Sequence, residues 1–132
     1  MVITNMGCNL DCIYCYERHK ENHTVFDLNE TLNKLSQILN TKTPKGTLIK
    51  LLGGEPFLVF PKIKKLCESI WEQKQIDNVL FHATSNGTLI HGIIKDWLLA
   101  NRHRFTIKLS LDGNKKANDI NRPGSFDKID ID

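Results

Sequence analysis

The chain has 132 residues, 40% of them apolar and 25% charged, with a formal net charge of +3 at pH 7. That describes one ordinary globular domain. Its lysines (Lys45, Lys62, Lys95 and Lys115 among them) are dispersed rather than gathered into the basic stripe that binds nucleic acid. No apolar run reaches membrane-spanning length, and Met1-Val2-Ile3-Thr4-Asn5 lacks the regions of a signal peptide. A cytoplasmic protein whose four cysteines are thiols rather than disulfides is therefore expected.

Residues 1–5 form a short strand that leads into a loop containing Cys8, Cys12 and Cys15. Asp27 is the N-cap of a first helix, with Glu30 three residues on and Leu28, Leu32, Leu35, Ile38 and Leu39 on one face. Thr41 to Gly46 is a turn-rich connection containing Pro44. Leu48 to Leu52 is a second strand, ended by Gly53-Gly54. Pro61 fits the first turn of a second helix with the stripe Ile63, Leu66, Cys67, Ile70 and Trp71. Val79 to Thr84 is a third strand, and Leu89 to Ala100 a third helix carrying Ile93, Ile94, Trp97 and Leu98. Phe105 to Leu111 alternates, with Phe105, Ile107, Leu109 and Leu111 on one side and Thr106, Lys108 and Ser110 on the other. A polar, helix-compatible segment ends the sequence.

This β-α-β-α-β-α-β order predicts an α/β fold: a parallel sheet of about four β/α units with right-handed crossovers. Each unusual motif follows a strand. The cysteine loop follows the first, Gly53-Gly54-Glu55-Pro56 the second, Ser85-Asn86-Gly87-Thr88 the third and Ser110-Leu111-Asp112-Gly113 the fourth. In parallel α/β architectures those carboxyl ends share one edge, where ligands bind. Four motifs distant in sequence are thus expected at one site.

Three closely spaced thiolates can wrap one inorganic centre, and they fall one short of the four that close a tetrahedral or cubane site. An iron–sulfur cube held by Cys8, Cys12 and Cys15 would leave one iron for a ligand with an amine and a carboxylate. Zinc is the rival, because Cys12-x2-Cys15-x3-His19 resembles half a zinc site that Cys8 could complete. Gly53 and Gly54 let backbone approach a ligand closely, Pro56 fixes the exit, and Glu55 with nearby carbonyls would accept from an ammonium group. Asn86-Gly87 and Asp112-Gly113 read as ordinary turns. Ser110 shares a polar strand face with Thr106 and Lys108, which in a barrel would line a wet lumen. Cys67 falls on an apolar helix stripe and reads as a small buried hydrophobe. His23, His82, His91 and His103 have no ligand-like spacing, and Trp71 and Trp97 sit at core-facing positions.

Together these residues resemble the radical S-adenosylmethionine (radical SAM) superfamily, whose Cys-x3-Cys-x-aromatic-Cys signature is met by Cys8, Cys12, Tyr14 and Cys15. Gly53-Gly54-Glu55-Pro56 matches its motif for the methionine amino group of the cofactor. The resemblance implies a [4Fe-4S] cluster on the three cysteines and S-adenosylmethionine on its open iron. Tyr14, the glycine-rich motif and Ser110 would contact the cofactor, Ser110 at the ribose and Arg122 at the site's rim. It further implies one-electron cleavage to a 5′-deoxyadenosyl radical that abstracts a substrate hydrogen, with electrons from a donor such as flavodoxin or ferredoxin. Thr84-Ser85-Asn86-Gly87-Thr88, Leu109-Ser110-Leu111-Asp112-Gly113 and the segment from Asp119 to Asp127 look like the peptide and protein maturase branch, which includes anaerobic sulfatase-maturating enzymes. A peptide or protein substrate follows from that likeness.

The family fold is a partial TIM-like barrel of six β/α units. Residues 1–132 are thus expected to form a radical SAM core domain that lacks its last strands and any auxiliary-cluster domain. A fourth strand left as an edge would expose the apolar Phe105–Leu111 face and favour association. A non-catalytic cofactor-binding or zinc-stabilised module, or an inert remnant, is the alternative.

Overall fold

A computed structural model describes residues 1–17, 24–41 and 46–131. Four strands, β1 (Val2–Asn5), β2 (Thr47–Gly53), β3 (Val79–Ser85) and β4 (Phe105–Leu109), alternate with helices α1 (Leu28–Asn40), α2 (Phe60–Trp71) and α3 (Gly92–Ala100). A fourth helix, α4 (Lys115–Asn121), follows the last strand, and single 3-10 turns lie at Pro56–Val59 and Phe126–Lys128. The strands form one sheet in the order β1-β2-β3-β4, and every pairing is parallel. The α/β parallel architecture expected from the alternating pattern is the one observed. His19, His23 and most of the Thr41–Gly46 connection lie outside the described residues.

Alternation along the strands decides which face the helices cover. Ile49, Leu51, Phe81, Ala83 and Phe105 point into a core completed by Ile63, Leu66, Cys67, Ile70, Trp97 and Leu98. Leu48, Lys50, Leu80, Thr106 and Lys108 point the other way and are exposed. On that side the Lys50, His82 and Thr106 positions lie in register across three strands, and His82 Nδ1 lies 2.9 Å from Thr106 Oγ1. Aromatic rings fill the covered side. Trp97 meets Phe105 edge-on at 5.4 Å and stacks near Trp71 at 5.9 Å, while Phe81 lies between Trp71 and Phe105. Burial drives the Cys67 thiol far above its usual range, consistent with a packing role.

The cover predicted to be missing from the fourth strand is partly supplied. Phe105 is buried against Phe57 and Trp97, and Ile107 packs on the core, so of that stripe within the strand only Leu109 is exposed, at 37%. The outer side of β1 also has a partner: Met6 N donates to Thr24 O, and Phe26 N to Thr4 O.

The third helix departs from expectation. It begins at Gly92 rather than Leu89, and Ile93 is 77% exposed. Residues 87–91 are consumed by tight turns, with Ile90 N donating to Gly87 O and His91 N to Leu89 O. Ile93 thus sits in the first turn, at the edge of the apolar stripe, and Trp97 and Leu98 are the buried residues of the helix.

The first helix starts as predicted, with the Asp27 side chain accepting from Glu30 N at 2.8 Å. Removing that acceptor strands an N-terminal amide, so Asp27→Ala should lower stability by about 1 kcal/mol in urea denaturation.

Candidate functional site

The carboxyl ends of the parallel strands open onto one cavity of about 430 Å³. Cys8, Cys12, Tyr14 and Cys15 line it from the first loop, and Gly53, Gly54 and Glu55 from the second. Thr84, Ser85 and Asn86 come from the end of β3, Ser110 from the end of β4, and Arg122 from the end of α4. Among the described residues, the expected cluster and cofactor contacts all border this cavity apart from Pro56. Pro56 is buried behind it, opening the 3-10 turn.

The two glycine positions are also needed for close approach of the protein's own backbone. A Cβ on Gly53 would lie 2.0 Å from Asn5 O, and one on Gly54 would lie 2.0 Å from Gly7 O. What presses on the turn is the backbone leading into the cysteine loop. Gly54 N donates to Asn5 O at 3.0 Å and Glu55 N to Gly7 O at 2.8 Å. The buried Asn5 amide adds bonds to Gly7 O and Glu55 O at 3.0 and 3.2 Å. The glycine-rich turn thus fixes where the cysteine loop begins.

Glu55 has partners within the protein as well. Its carboxylate is turned inward and 1% exposed, where it accepts from Phe57 N, Ser85 Oγ and Asn86 N at 3.2, 2.9 and 2.8 Å. Burial raises its affinity for a proton, and those three donors only partly offset the effect. The side chain therefore joins the second loop to the third.

Two residues read as simple turns take part in the site. Asn86 Nδ2 donates to Asn9 Oδ1 at 2.8 Å and lies 3.8 Å from Cys8 Sγ. Asp112 accepts from Tyr14 Oη at 2.8 Å and from Arg122 Nε at 2.9 Å. The Arg122 guanidinium lies 5.3 Å from the Tyr14 ring centre, and its NH1 lies 3.8 Å from Cys12 Sγ. Burial alone would raise the Asp112 carboxyl, but the bonds from Tyr14 and Arg122 and the guanidinium charge outweigh it and hold it below the usual range. Tyr14 thereby has a structural partner in the protein. The Asn-Gly and Asp-Gly dipeptides belong to motifs expected at this edge, but nothing local foretold their particular partners, 78 and 98 residues away.

The thiols share one electrostatic environment. Burial raises Cys8 and Cys12 above the ordinary thiol value, neighbouring thiols add to this, and the Arg122 charge opposes it at Cys12. Among the described residues, no three His, Cys, Asp or Glu side chains converge closely enough to hold a single metal ion. No described helix is long and apolar enough to cross a membrane.

Comparison with known proteins bears on the family and the fold. An uncharacterized protein of Methanocaldococcus jannaschii is 32% identical over 121 residues, covering 92% of this chain and 40% of its own length. The GTP 3′,8-cyclase of Clostridium perfringens is 30% identical over 126 residues, covering 92% of this chain and 37% of that enzyme. Among solved structures, the anaerobic sulfatase-maturating enzyme anSMEcpe with bound AdoMet and the Kp18Cys peptide superposes with a TM-score of 0.76 at 25% identity. That match covers 96% of this chain and 34% of the enzyme. The chain spans 40% or less of the length of these relatives. The family model for the radical SAM superfamily matches residues 2–130, and the chain belongs to that superfamily.

Proposed function

We propose that Cys8, Cys12 and Cys15 hold a [4Fe-4S] cluster, and that S-adenosylmethionine binds beside it against the glycine-rich turn, Tyr14 and Ser110. The observation that carries this reading is the single cavity bordered by all three thiols, the Gly53-Gly54-Glu55 backbone and Ser110. The residues fit the group. Three thiols bordering one cavity of about 430 Å³ supply the thiolate set that a cubane cluster with one open iron needs. When bound, cluster and cofactor supply one-electron cleavage of a carbon–sulfur bond, chemistry that no side chain here can perform.

What the chain itself contributes is placement. The turn backbone and Ser110 offer polar atoms to an amine, a carboxylate or a ribose hydroxyl. Asn5 holds that turn against the cysteine loop, and the Glu55 side chain ties it to the loop after β3. We further propose that residues 1–132 act as the radical-generating part of a larger peptide or protein maturase, reduced by a flavodoxin- or ferredoxin-type donor. The peptide in the anSMEcpe structure supports that substrate class.

Anaerobic reconstitution with iron and sulfide should give a cubane spectrum that S-adenosylmethionine perturbs. Cys8→Ala, Cys12→Ala and Cys15→Ala should each abolish it. A wild-type chain that takes up no iron, or that purifies with one zinc and no sulfide, overturns the assignment.

A further inference from the structure

We propose that Arg122 and Asn86 are positioning residues whose N–H groups, aimed at Cys12 and Cys8, raise the reduction potential of the iron–sulfur cluster those thiols hold. The proposal rests on the cluster assignment above. Each N···S distance is 3.8 Å, suited to a donor facing the large sulfur atom.

Neither donor is free to turn away. The Arg122 side chain is 13% exposed, with Nε fixed on Asp112 at 2.9 Å. Asp112 is itself held by the Tyr14 hydroxyl, and the Tyr14 ring packs against the guanidinium. A guanidinium carries five donors and cannot lose its charge, so one edge serves the carboxylate while NH1 faces sulfur. The Asn86 amide has its orientation set by its partners. Its Oδ1 accepts from Thr88 N at 3.0 Å and Thr88 Oγ1 at 2.8 Å, which leaves Nδ2 for Asn9 and Cys8.

Reduction adds negative charge to a cluster and its sulfurs. A fixed cation and an oriented N–H dipole stabilise the reduced form more than the oxidised form, so both raise the potential. The full charge of Arg122 acts more strongly than the dipole of Asn86.

The test is an EPR-monitored redox titration of the reconstituted full chain without S-adenosylmethionine. Arg122→Gln should shift the reduced-to-oxidised ratio at fixed poise about tenfold toward the oxidised form, about 59 mV for one electron. Arg122→Lys, which keeps charge but not the fork, should shift it less. Asn86→Asp preserves the acceptor for Thr88 while replacing the donor to Cys8, and should also lower the potential. Should Arg122→Gln fail to assemble, Arg122→Lys and Asn86→Asp decide. Variants with full iron and sulfide content and wild-type potentials overturn this proposal alone, whereas a wild-type chain without a cluster overturns the assignment beneath it.

Discussion

Gly54→Ala should lower stability by about 3 kcal/mol or more and abolish the iron uptake proposed for the three cysteines. The added methyl would lie 2.0 Å from Gly7 O, 2.5 Å from Gly7 C and 3.1 Å from Cys8 N. All three are backbone atoms, so no side chain can rotate aside, and the cysteine loop itself must move. That movement also breaks the bonds from Gly54 N to Asn5 O and from Glu55 N to Gly7 O. Gly113→Ala is the control. Gly113 has a φ of +77°, and a methyl group added there would meet nothing within 4 Å, so only the conformational cost of about 1–2 kcal/mol applies. Urea denaturation with iron and sulfide analysis on the same samples checks both. A Gly54→Ala chain that unfolds at the wild-type midpoint and loads iron normally would contradict the account.

Glu55→Ala should cost about 4 kcal/mol, because three donors in a dry interior lose their acceptor at once. Phe57 N, Ser85 Oγ and Asn86 N all point at this carboxylate. Glu55→Gln keeps the volume but turns a donor toward one of them, and should cost about 2 kcal/mol. The pH dependence has a definite sign. Burial, opposed by the three hydrogen bonds, leaves the folded carboxyl binding its proton more tightly than the ordinary value of 4.5 implies. Stability from that extra affinity is complete below the unfolded value and is lost as pH rises through the raised folded one. The Glu55→Gln variant lacks this titration, so the stability gap between it and the wild type should narrow over the same rise. Denaturation midpoints measured from acid to neutral pH would show it, and a gap that widens would refute the burial argument.

Local patterning identified the strands closely. The third was expected over Val79 to Thr84 and spans Val79–Ser85, because apolar alternation and flanking turns report burial on one face directly. Ile93 was expected on the buried face but is exposed, since it sits in the first turn of a helix that begins at Gly92, at the edge of the stripe that Trp97 and Leu98 centre. The site divided the same way. Spacing alone drew attention to Cys8, Cys12 and Cys15, whereas the parts of Asn86, Asp112 and the inward-turned Glu55 depend on which loops the sheet brings side by side. A short-range sequence signal holds no information on bonds of that span. Gly53 and Gly54 illustrate the point: their lack of a side chain was legible, but the backbone they make room for was not.

The reach of these bonds bears on the order of events during synthesis. Asn86 follows Cys8 by 78 residues, and Arg122 follows Cys12 by 110. At ribosomal speed the second interval takes on the order of 5–20 s, during which the cysteines have left the ribosome before the residues that frame them have been made. Bare thiols in that window are open to oxidation and to capture of an unsuitable metal. Under the proposed cluster assignment, the frame around Cys12 is in place only once α4 has docked.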